Sequence, residues 1–255
     1  MKQFLITALL ALAGMGAQAQ TSETRKSQDF NSLEVKNGIE VVFTQSSDPS
    51  LKVESDSKAN LENIITEFSK GTLKVYMREP ENGRTMQGSA KVYVAAPNVT
   101  NFKAVTGASI KASNKLTVDE LTVKLASGAS FTGEAGCTTK CVVKAESGSM
   151  FRGLIHTALF DGKALGGSTI KLTGSADITN VTCNNGSLIA GKFFSQKADI
   201  KTINASTAFI NAVKSINADA DNSSSITYYG EPADVNLGTN MYAIKRDNLK
   251  LALNN

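Results

Sequence analysis

The chain of 255 residues contains no tryptophan, a single histidine, four prolines and three cysteines. A His/Cys metal site would have to combine His156 with Cys137 or Cys141, and the spacing of these residues fits no zinc pattern well. No G-x-S-x-G segment supports a hydrolase nucleophile. The sequence thus offers no catalytic constellation. We expect no cofactor, and we expect His156 to be an exposed turn residue.

Charge of one sign is also not concentrated anywhere, because no run of five like charges occurs. Without Lys2 the chain has 26 basic and 23 acidic residues, a net charge near +3. Nucleic-acid binding requires a clustered basic face and is not indicated by this pattern. Only a weak, general attraction to polyanions follows from the composition.

Long hydrophobic runs are absent except at the start of the chain. Lys2, an apolar run from Phe4 to Ala13 and the small-x-small pattern Ala17-Gln18-Ala19 predict a signal peptide that is cleaved after Ala19. No later stretch approaches the ~20 apolar residues of a membrane-spanning helix. We expect an exported, soluble protein of the periplasm, the cell surface or the extracellular space.

The second half of the chain is rich in Gly, Ala, Ser, Thr and Asn, with Val, Ile, Thr and Phe in short alternating segments. Alternation of this kind is the sequence signal of β-strands. A cluster of small residues followed by one large apolar residue recurs seven times, at a mean interval near 19 residues. The large residues are Ile110, Phe131, Phe151, Ile170, Leu188, Phe209 and Ile226.

A repeat of this length marks a stacked, solenoid architecture. Leucine-rich repeats and helical repeats do not fit, because neither Leu-x-Leu nor a helical period recurs. We predict an all-β, single-stranded, right-handed parallel β-helix of seven or more coils of 19–21 residues. The small residues would occupy a narrow bend between strands, and the seven large residues would form one internal ladder with coils ~4.8 Å apart.

Residues 30–104 lack the period and predict an irregular β region that caps the N-terminal end of the solenoid. Asn37-Gly38 lies between alternating apolar residues and predicts a tight turn, and residues 57–71 predict one short helix. The predicted organisation is a signal peptide (1–19), a flexible segment (20–29), the cap (30–104), the β-helix repeats (105–230) and a C-terminal cap and tail (231–255).

Several segments in a fixed order carry a family resemblance. "FNSLEVKNGIEVV", "LKVES", "LKVYMRE", "VYVAAPNVTNFKAVTGAS" and "SITYYGEPADVNL" resemble the auto-transporter adhesin family whose domain is called the head GIN domain. The resemblance covers residues 30–235, with Asn37-Gly38-Ile39 as this chain's version of the motif. It implies a secreted or envelope protein built on a β-helix, and it brings no functional residues with it.

Carboxylates are candidates for chemistry because enzymes that act on acidic polysaccharides are common on β-helices. Asp161, Asp177, Asp199 and Asp219 recur at similar places in successive coils. We expect them to point outward, with Ile178 and Ile200 pointing inward. Of these, Asp177, Asp199 and Asp219 are weak candidates for Ca²⁺ binding. Catalysis would further require their convergence with Lys or Arg, and residues 105–230 contain only Arg152 as an arginine.

Aromatic residues are candidates for ligand binding. Phe193 and Phe194 cannot both point inward from one strand, so one is exposed or lies in a bend. Phe193, Phe194 and Tyr229 could form a platform for carbohydrate or protein, although packing in the core or at the end is the more common role for such residues.

The three cysteines belong to an exported chain, in which disulfides are permitted. Cys137 and Cys141 either close a small loop as a disulfide or remain thiols. We expect Cys183 to be a buried free thiol, two coils from Cys141 and beyond disulfide reach.

The preferred function is a non-enzymatic binding or adhesion module that presents flat faces to a carbohydrate or protein ligand. A polysaccharide lyase or hydrolase, and a structural envelope spacer, are the alternatives. The exposed last coil could stack on another copy, which would give a homo-oligomer.

Overall fold

The structure is a computed structural model that describes residues 21–78 and 90–247. The predicted signal peptide lies outside these residues. The first nine strands are β1 (Thr21–Arg25), β2 (Ser32–Val35), β3 (Glu40–Gln45), β4 (Ser50–Ser55), β5 (Ile64–Ser69), β6 (Thr72–Met77), β7 (Ala90–Ala96), β8 (Asn101–Val105) and β9 (Ser109–Ala112). The other nine are β10 (Leu116–Ala126), β11 (Ser130–Glu146), β12 (Met150–Leu165), β13 (Thr169–Asn184), β14 (Ser187–Ile203), β15 (Thr207–Ala220), β16 (Ser225–Tyr229), β17 (Asp234–Leu237) and β18 (Ile244–Arg246). Two short helices are α1 (Lys58–Asn63) and a 3-10 helix, Met241–Ala243.

The fold is a parallel β-solenoid of about eight turns, as predicted. Each of the long strands β10 to β15 pairs in parallel with the next one along the chain. One long strand is almost a whole coil, since it passes around a bend and runs along two sides of the solenoid. In β12 the bend lies between Thr157 and Leu159, where the pairing register to β13 skips one residue on each strand.

The two sides of each coil form two walls, which we call wall one and wall two. Wall one contains β7, β3 and β9, the first halves of the long strands, and β16 and β18. Wall two contains β6, β2 and β8, the second halves of the long strands, and β17. Side chains alternate between the core and the solvent along both walls.

A two-residue corner turn returns the chain from wall two to wall one. In four consecutive coils both of its residues have positive φ: Thr106-Gly107, Ser127-Gly128, Ser147-Gly148 and Gly166-Gly167. The turns are hydrogen-bonded to one another, for example Gly107 N to Ser127 O at 2.9 Å and Gly128 N to Ser147 O at 3.0 Å. Glycine is favoured here because it adopts positive φ without steric cost.

The residue after the turn points into the core and is small throughout the repeats. This column contains Ala108, Ala129, Ser149, Ser168, Gly186, Ser206 and Ser224, all of them buried. The serine hydroxyls are satisfied by the backbone; Ser168 Oγ donates to Ala145 O at 2.7 Å and accepts from Leu165 N at 2.8 Å. The recurrent clusters of small residues in the sequence therefore form the corner of the solenoid.

The large apolar residues form the predicted ladder with one exception. Ile110, Phe131, Phe151, Ile170, Leu188 and Ile226 are buried and in register, and the Phe131 and Phe151 rings stack at 5.5 Å between centroids. The prediction for Phe209 was wrong. The inward residue is always the second after the buried small residue, so Ser206 places Ala208 in the ladder and turns Phe209 outward.

The inward assignment of Ile178 was also wrong, whereas Ile200 is buried as predicted. Ile178 is 43% exposed, and its neighbour Thr179 takes the inward place in register with Phe160. The Phe160 ring packs against Phe193 at 5.8 Å between centroids. These two rings fill the core at this level, which explains why the smaller threonine faces inward beside them.

The N-terminal region contains both solenoid coils and covering strands. β2 and β3 lie between the coil β6–β7 and the coil β8–β9, so the first coil in the sequence is the second in space. Asn37-Gly38 is a tight turn, as predicted, and both residues have positive φ. Gly38 N donates to Thr106 O at 2.9 Å, so this turn is one more member of the corner stack.

The first end of the solenoid is covered by antiparallel strands. β4 pairs with β7 and β1 pairs with β4, while β5 covers the edge of β6. The short helix predicted within residues 57–71 is α1, whose N-cap Ser57 accepts from Asn60 N at 3.2 Å. β1 lies within the segment expected to be flexible, and Arg25 fastens it to Ile64 O at 2.6 Å and Leu61 O at 3.2 Å.

Gly174 is a position where the packing of one coil on another tolerates no side chain. Its φ is +108°, and an added Cβ would lie 2.1 Å from Ile155 O. We predict that Gly174→Ala lowers the free energy of unfolding by about 2–4 kcal/mol, measured by chemical denaturation. Gly136→Ala is the matched control, because its Cβ would meet only the flexible Lys115 side chain at 3.2 Å. Equal losses in both variants would contradict this account.

Candidate functional site

Phe193 and Phe194, the adjacent phenylalanines predicted as ligand-binding candidates, point to opposite sides of the sheet. Phe193 is fully buried and belongs to the core, whereas Phe194 is 53% exposed on wall one. The sequence prediction that one of the two is exposed is thus confirmed. Phe193 packs in the core against Phe160, and so it cannot contact a ligand on the surface.

A local insertion in β14 brings Phe194 to the surface. Ala190 pairs with Ile210 of β15 but Phe194 pairs with Asn211, the very next residue, so Gly191, Lys192 and Phe193 are extra on β14. Bulges of this kind bend the strand and re-aim the side chains that follow.

Phe194 and Tyr229 lie in the same outward column, with Asn211 between them. Phe194 pairs with Asn211 in register, and Asn211 pairs with Tyr229. The neighbouring outward column holds Ile189 and Phe209, which also pair in register. Val213, two positions beyond Asn211 on β15, lies at the bend where this wall ends. We call these outward residues the aromatic patch: Ile189, Phe194, Phe209, Asn211, Val213 and Tyr229.

The aromatic patch has the chemistry of a contact surface. Ile189, Phe194 and Val213 are 43%, 53% and 39% exposed, and Phe209 and Tyr229 are half-buried. Aromatic rings provide apolar faces for sugar rings or protein side chains, and Asn211 and the Tyr229 hydroxyl supply hydrogen bonds. Sequence reasoning identified Phe194 and Tyr229 but missed Ile189, Phe209 and Val213. The column register that reveals them depends on the bulge in β14.

The outward aspartates on wall two belong to a ladder of polar side chains. Asp161, Asn180, Asp199, Asn217 and Asn236 pair in register through successive coils. Asparagine side-chain amides link neighbouring residues of this ladder. Asn180 Nδ2 donates to Asp161 at 3.1 Å, and Asn217 Nδ2 donates to Asp199 at 2.9 Å. Asp161 also pairs with Lys140, and this contact raises the pKa of Lys140.

The three candidate calcium ligands lie in three different columns. Asp199 belongs to the polar ladder, Asp219 is ion-paired with Lys201 at 3.3 Å in the next outward column, and Asp177 is exposed near the bend of its coil. Within residues 21–78 and 90–247, no group of three or more His, Cys, Asp or Glu residues could hold a metal ion. Asp199 lines a groove of about 610 Å³ on wall two together with Lys197 and Asp234, whereas Asp177 and Asp219 are not part of its lining.

His156 is exposed as expected, but it lies on β12 rather than in a turn. Its Nδ1 is 3.0 Å from Ser175 Oγ of the next coil. Arg152 lies on the same strand, on wall one. The arginine of the repeats is therefore on a different wall from Asp199 and Asp219.

The three cysteines are buried thiols in the structure. Cys137 and Cys141 flank the bend of β11 and are hydrogen-bonded to each other, which lowers the pKa of Cys137 and raises that of Cys141. Burial raises the pKa of Cys183 to about 12. The disulfide between Cys137 and Cys141 stays a prediction, and Cys183 is buried and free, as expected.

The thiols should differ in reactivity. After reduction, we predict that iodoacetamide at pH 8 modifies Cys137 faster than Cys183, because Cys137 is 5% exposed and Cys183 is completely buried with a raised pKa. Peptide mapping at increasing labelling times measures the order. Labelling of Cys183 first would contradict the packing described here, and labelling in denaturant is the control in which all three react alike.

The chain matches the family described as "Putative auto-transporter adhesin, head GIN domain" over residues 29–232. The chain belongs to this family. The resemblance seen in the sequence is therefore confirmed, and Asn37-Gly38 is the corner turn of the coil formed by β2 and β3.

Solved structures share the fold at low sequence identity. A "putative adhesin" from Parabacteroides merdae ATCC 43184 has a TM-score of 0.76 at 17% identity, covering 92% of this chain and 98% of that chain. A "putative lipid binding protein" from Parabacteroides distasonis ATCC 8503 has a TM-score of 0.73 at 16% identity, covering 91% and 97%. A "putative adhesin" from Bacteroides fragilis NCTC 9343 has a TM-score of 0.64 at 17% identity, covering 91% and 96%. No curated protein matches the chain. Among the described residues, no helix is long and apolar enough to cross a membrane.

Proposed function

We propose that this protein is an exported, non-enzymatic binding or adhesion module of the cell envelope, and that the aromatic patch contacts its carbohydrate or protein ligand. The observation that carries the proposal is the exposure of Phe194 and Ile189 on wall one, with exposed Val213 at the bend where that wall ends. Contiguous exposed apolar surface of this kind typically marks an interaction site.

The position of the patch within the fold supports this role. Its residues come from β14, β15 and β16, which are paired in register, so the patch is built on a rigid sheet rather than on loops. A rigid surface loses little conformational entropy on binding. Adhesion to a repetitive ligand also suits a solenoid, because successive coils present equivalent positions along one axis.

Export and location in the envelope are part of the proposal. They are supported by the signal-peptide pattern of residues 1–19 and by membership of an adhesin family. Association of copies is proposed as well, through stacking at the C-terminal end, where β17 and β18 are the last strands of the two walls within the described residues.

The rival functions require other arrangements. A polysaccharide lyase or hydrolase would require Asp177, Asp199 or Asp219 to converge with a basic residue in one groove. Only Asp199 meets this condition, since it lines a groove with Lys197, and its carboxylate already accepts a hydrogen bond from Asn217. Asp219 is paired with Lys201 outside that groove. A structural spacer would have no need of an aromatic side chain as exposed as Phe194, because that side chain contributes little to packing.

The test is a glycan array with the purified mature protein, with and without Ca²⁺, followed by affinity measurement on any glycan that binds. We predict that Phe194→Ala and Tyr229→Ala each weaken binding by about tenfold, since a central aromatic contact is worth roughly 1–2 kcal/mol. Each variant should keep the melting temperature of the parent protein within a few degrees.

Tyr242→Ala is the matched control, because Tyr242 is fully exposed but lies in the 3-10 helix at the C-terminal end. It should bind as the parent protein does. Equal losses in the control and the patch variants, or cleavage of the bound glycan, would overturn the proposal. If the array shows no ligand, the same variants are tested for adhesion to a host extracellular-matrix protein panel, and no binding there would favour the spacer.

A further inference from the structure

Lysines form an unbroken row along wall two. Lys103 of β8 pairs in register with Lys124 of β10, Lys124 with Lys144 of β11, and Lys144 with Lys163 of β12. All four point outward, and successive members are ~4.8 Å apart along the solenoid axis. We call Lys103, Lys124, Lys144 and Lys163 the lysine row.

The charges of the row are only partly balanced. Lys103 pairs with Glu34 at 2.9 Å, and Lys144 pairs with Glu146 at 2.9 Å. Glu34 also accepts Lys36 at 3.0 Å, and its pKa is lowered even though partial burial opposes the shift. Neither Lys124 nor Lys163 has an ion pair with another residue in the described part of the chain. The row therefore carries net positive charge.

The same column shows what a balanced arrangement looks like. Two coils beyond Lys163 it contains Lys201 followed by Asp219, which form an ion pair at 3.3 Å. Like charges in register on neighbouring strands are destabilising, and opposite charges are stabilising. Four consecutive lysines are thus not required by the sheet, and they oppose its stability.

A shallow groove runs beside the row at its N-terminal end. Its volume is about 230 Å³, and its lining includes Ser32, Glu34, Asn101, Lys103, Thr122 and Lys124, so the carboxylate that pairs with Lys103 lies in the groove as well. Ser32, Asn101 and Thr122 are themselves in register in the adjacent outward column. Hydroxyl and amide groups beside ammonium groups suit a ligand that carries both hydroxyls and anions.

The geometry points to a binding site for a linear acidic polysaccharide that lies along the solenoid axis with carboxylates directed to the lysine row. An extended uronate polymer carries one carboxylate per sugar, and each sugar advances the chain by roughly one coil, so four sugars span the row. Ring hydroxyls then meet the column of Ser32, Asn101 and Thr122. This site is on wall two and is independent of the aromatic patch on wall one.

Nucleic acid and membrane surfaces fit the row less well. Between Asn101 and Leu165, no aromatic side chain points outward on wall two, so bases would have no stacking partner. Large apolar side chains for insertion into a bilayer are also not exposed there, because Val105, Val142 and Leu165 are all half-buried. The exposed lysines of this wall therefore fit a polyanion that bears hydroxyls.

The test uses polygalacturonate as the probe, with its methyl ester as the uncharged control polymer. We predict that the parent protein binds polygalacturonate, that added salt weakens binding, and that the methyl ester does not bind. Affinity for defined oligogalacturonates should rise up to four units and then level off, because the row has four lysines. Lys124→Gln/Lys163→Gln should weaken binding by about tenfold.

The matched control is Lys111→Gln/Lys171→Gln, which makes the same change in net charge on wall one. It should bind polygalacturonate within twofold of the parent protein, as should Phe194→Ala. If this control lost as much affinity as the lysine-row variant, the loss would be explained by net charge alone, and the proposal would be overturned. Absence of polygalacturonate binding, equal binding of the methyl ester, or tighter binding of oligothymidylate or phosphatidylserine vesicles would overturn it as well.

Discussion

The structure depends on the stacking of one corner turn upon the next. Two residues of positive φ reverse the chain, and their backbone N–H groups donate to the turn of the neighbouring coil. The next residue is buried and small, and it determines which of the following residues face the core. The corner turn therefore fixes the pairing register between neighbouring coils, and this register determines which residues share a column on each wall. The same kind of turn at Asn37-Gly38 joins the N-terminal coil to the stack, although the buried residue that follows it is Ile39 rather than a small one.

Register converts sequence spacing into surface chemistry. Residues about 20 positions apart become neighbours ~4.8 Å apart, which produces the aromatic patch, the polar ladder of Asp and Asn, and the lysine row. These surfaces lie on ordered sheets and differ in character between the two walls. The Asp and Asn side chains satisfy one another, as Asn217 and Asp199 do, whereas the patch and the row leave apolar surface and charge in contact with solvent. This difference is the reason that we assign binding to the latter two surfaces.

Much of the fold follows from the sequence alone. The repeat, its length and the small-residue clusters predict a parallel β-solenoid, and Asn37-Gly38 predicts its turn. Phe209 was misplaced because alignment on the largest residue ignored the buried Ser206, from which the inward direction is counted. Ile178 was misplaced because Phe160 and Phe193 already fill the core beside it. The insertion of β2 and β3 between later strands has no local signal, since it depends on pairing between distant segments.

The binding surfaces were less predictable than the fold. Phe194 and Tyr229 were identified because they are aromatic. The other residues of the patch could not be identified, because their place in the columns depends on a bulge in β14 that has no signal in the sequence. The lysine row does have a signal in the sequence, but it is a periodic spacing of lysines rather than a run of consecutive charges. Lys103, Lys124, Lys144 and Lys163 are separated by 21, 20 and 19 residues, the same intervals as the repeat. In a solenoid, charge clustering is periodic and must be counted once per coil.

The central claim, that coils stack in one fixed register, is tested most directly by a distance between residues far apart in sequence. Lys103 and Lys201 lie five coils apart in the same column. In the doubly spin-labelled variant Lys103→Cys/Lys201→Cys, electron–electron resonance should give a narrow distance distribution centred at about 24 Å, five times the coil spacing. A broad distribution, or a narrow one centred well beyond 35 Å even with the length of the labels, would contradict the stacking on which both binding surfaces rest.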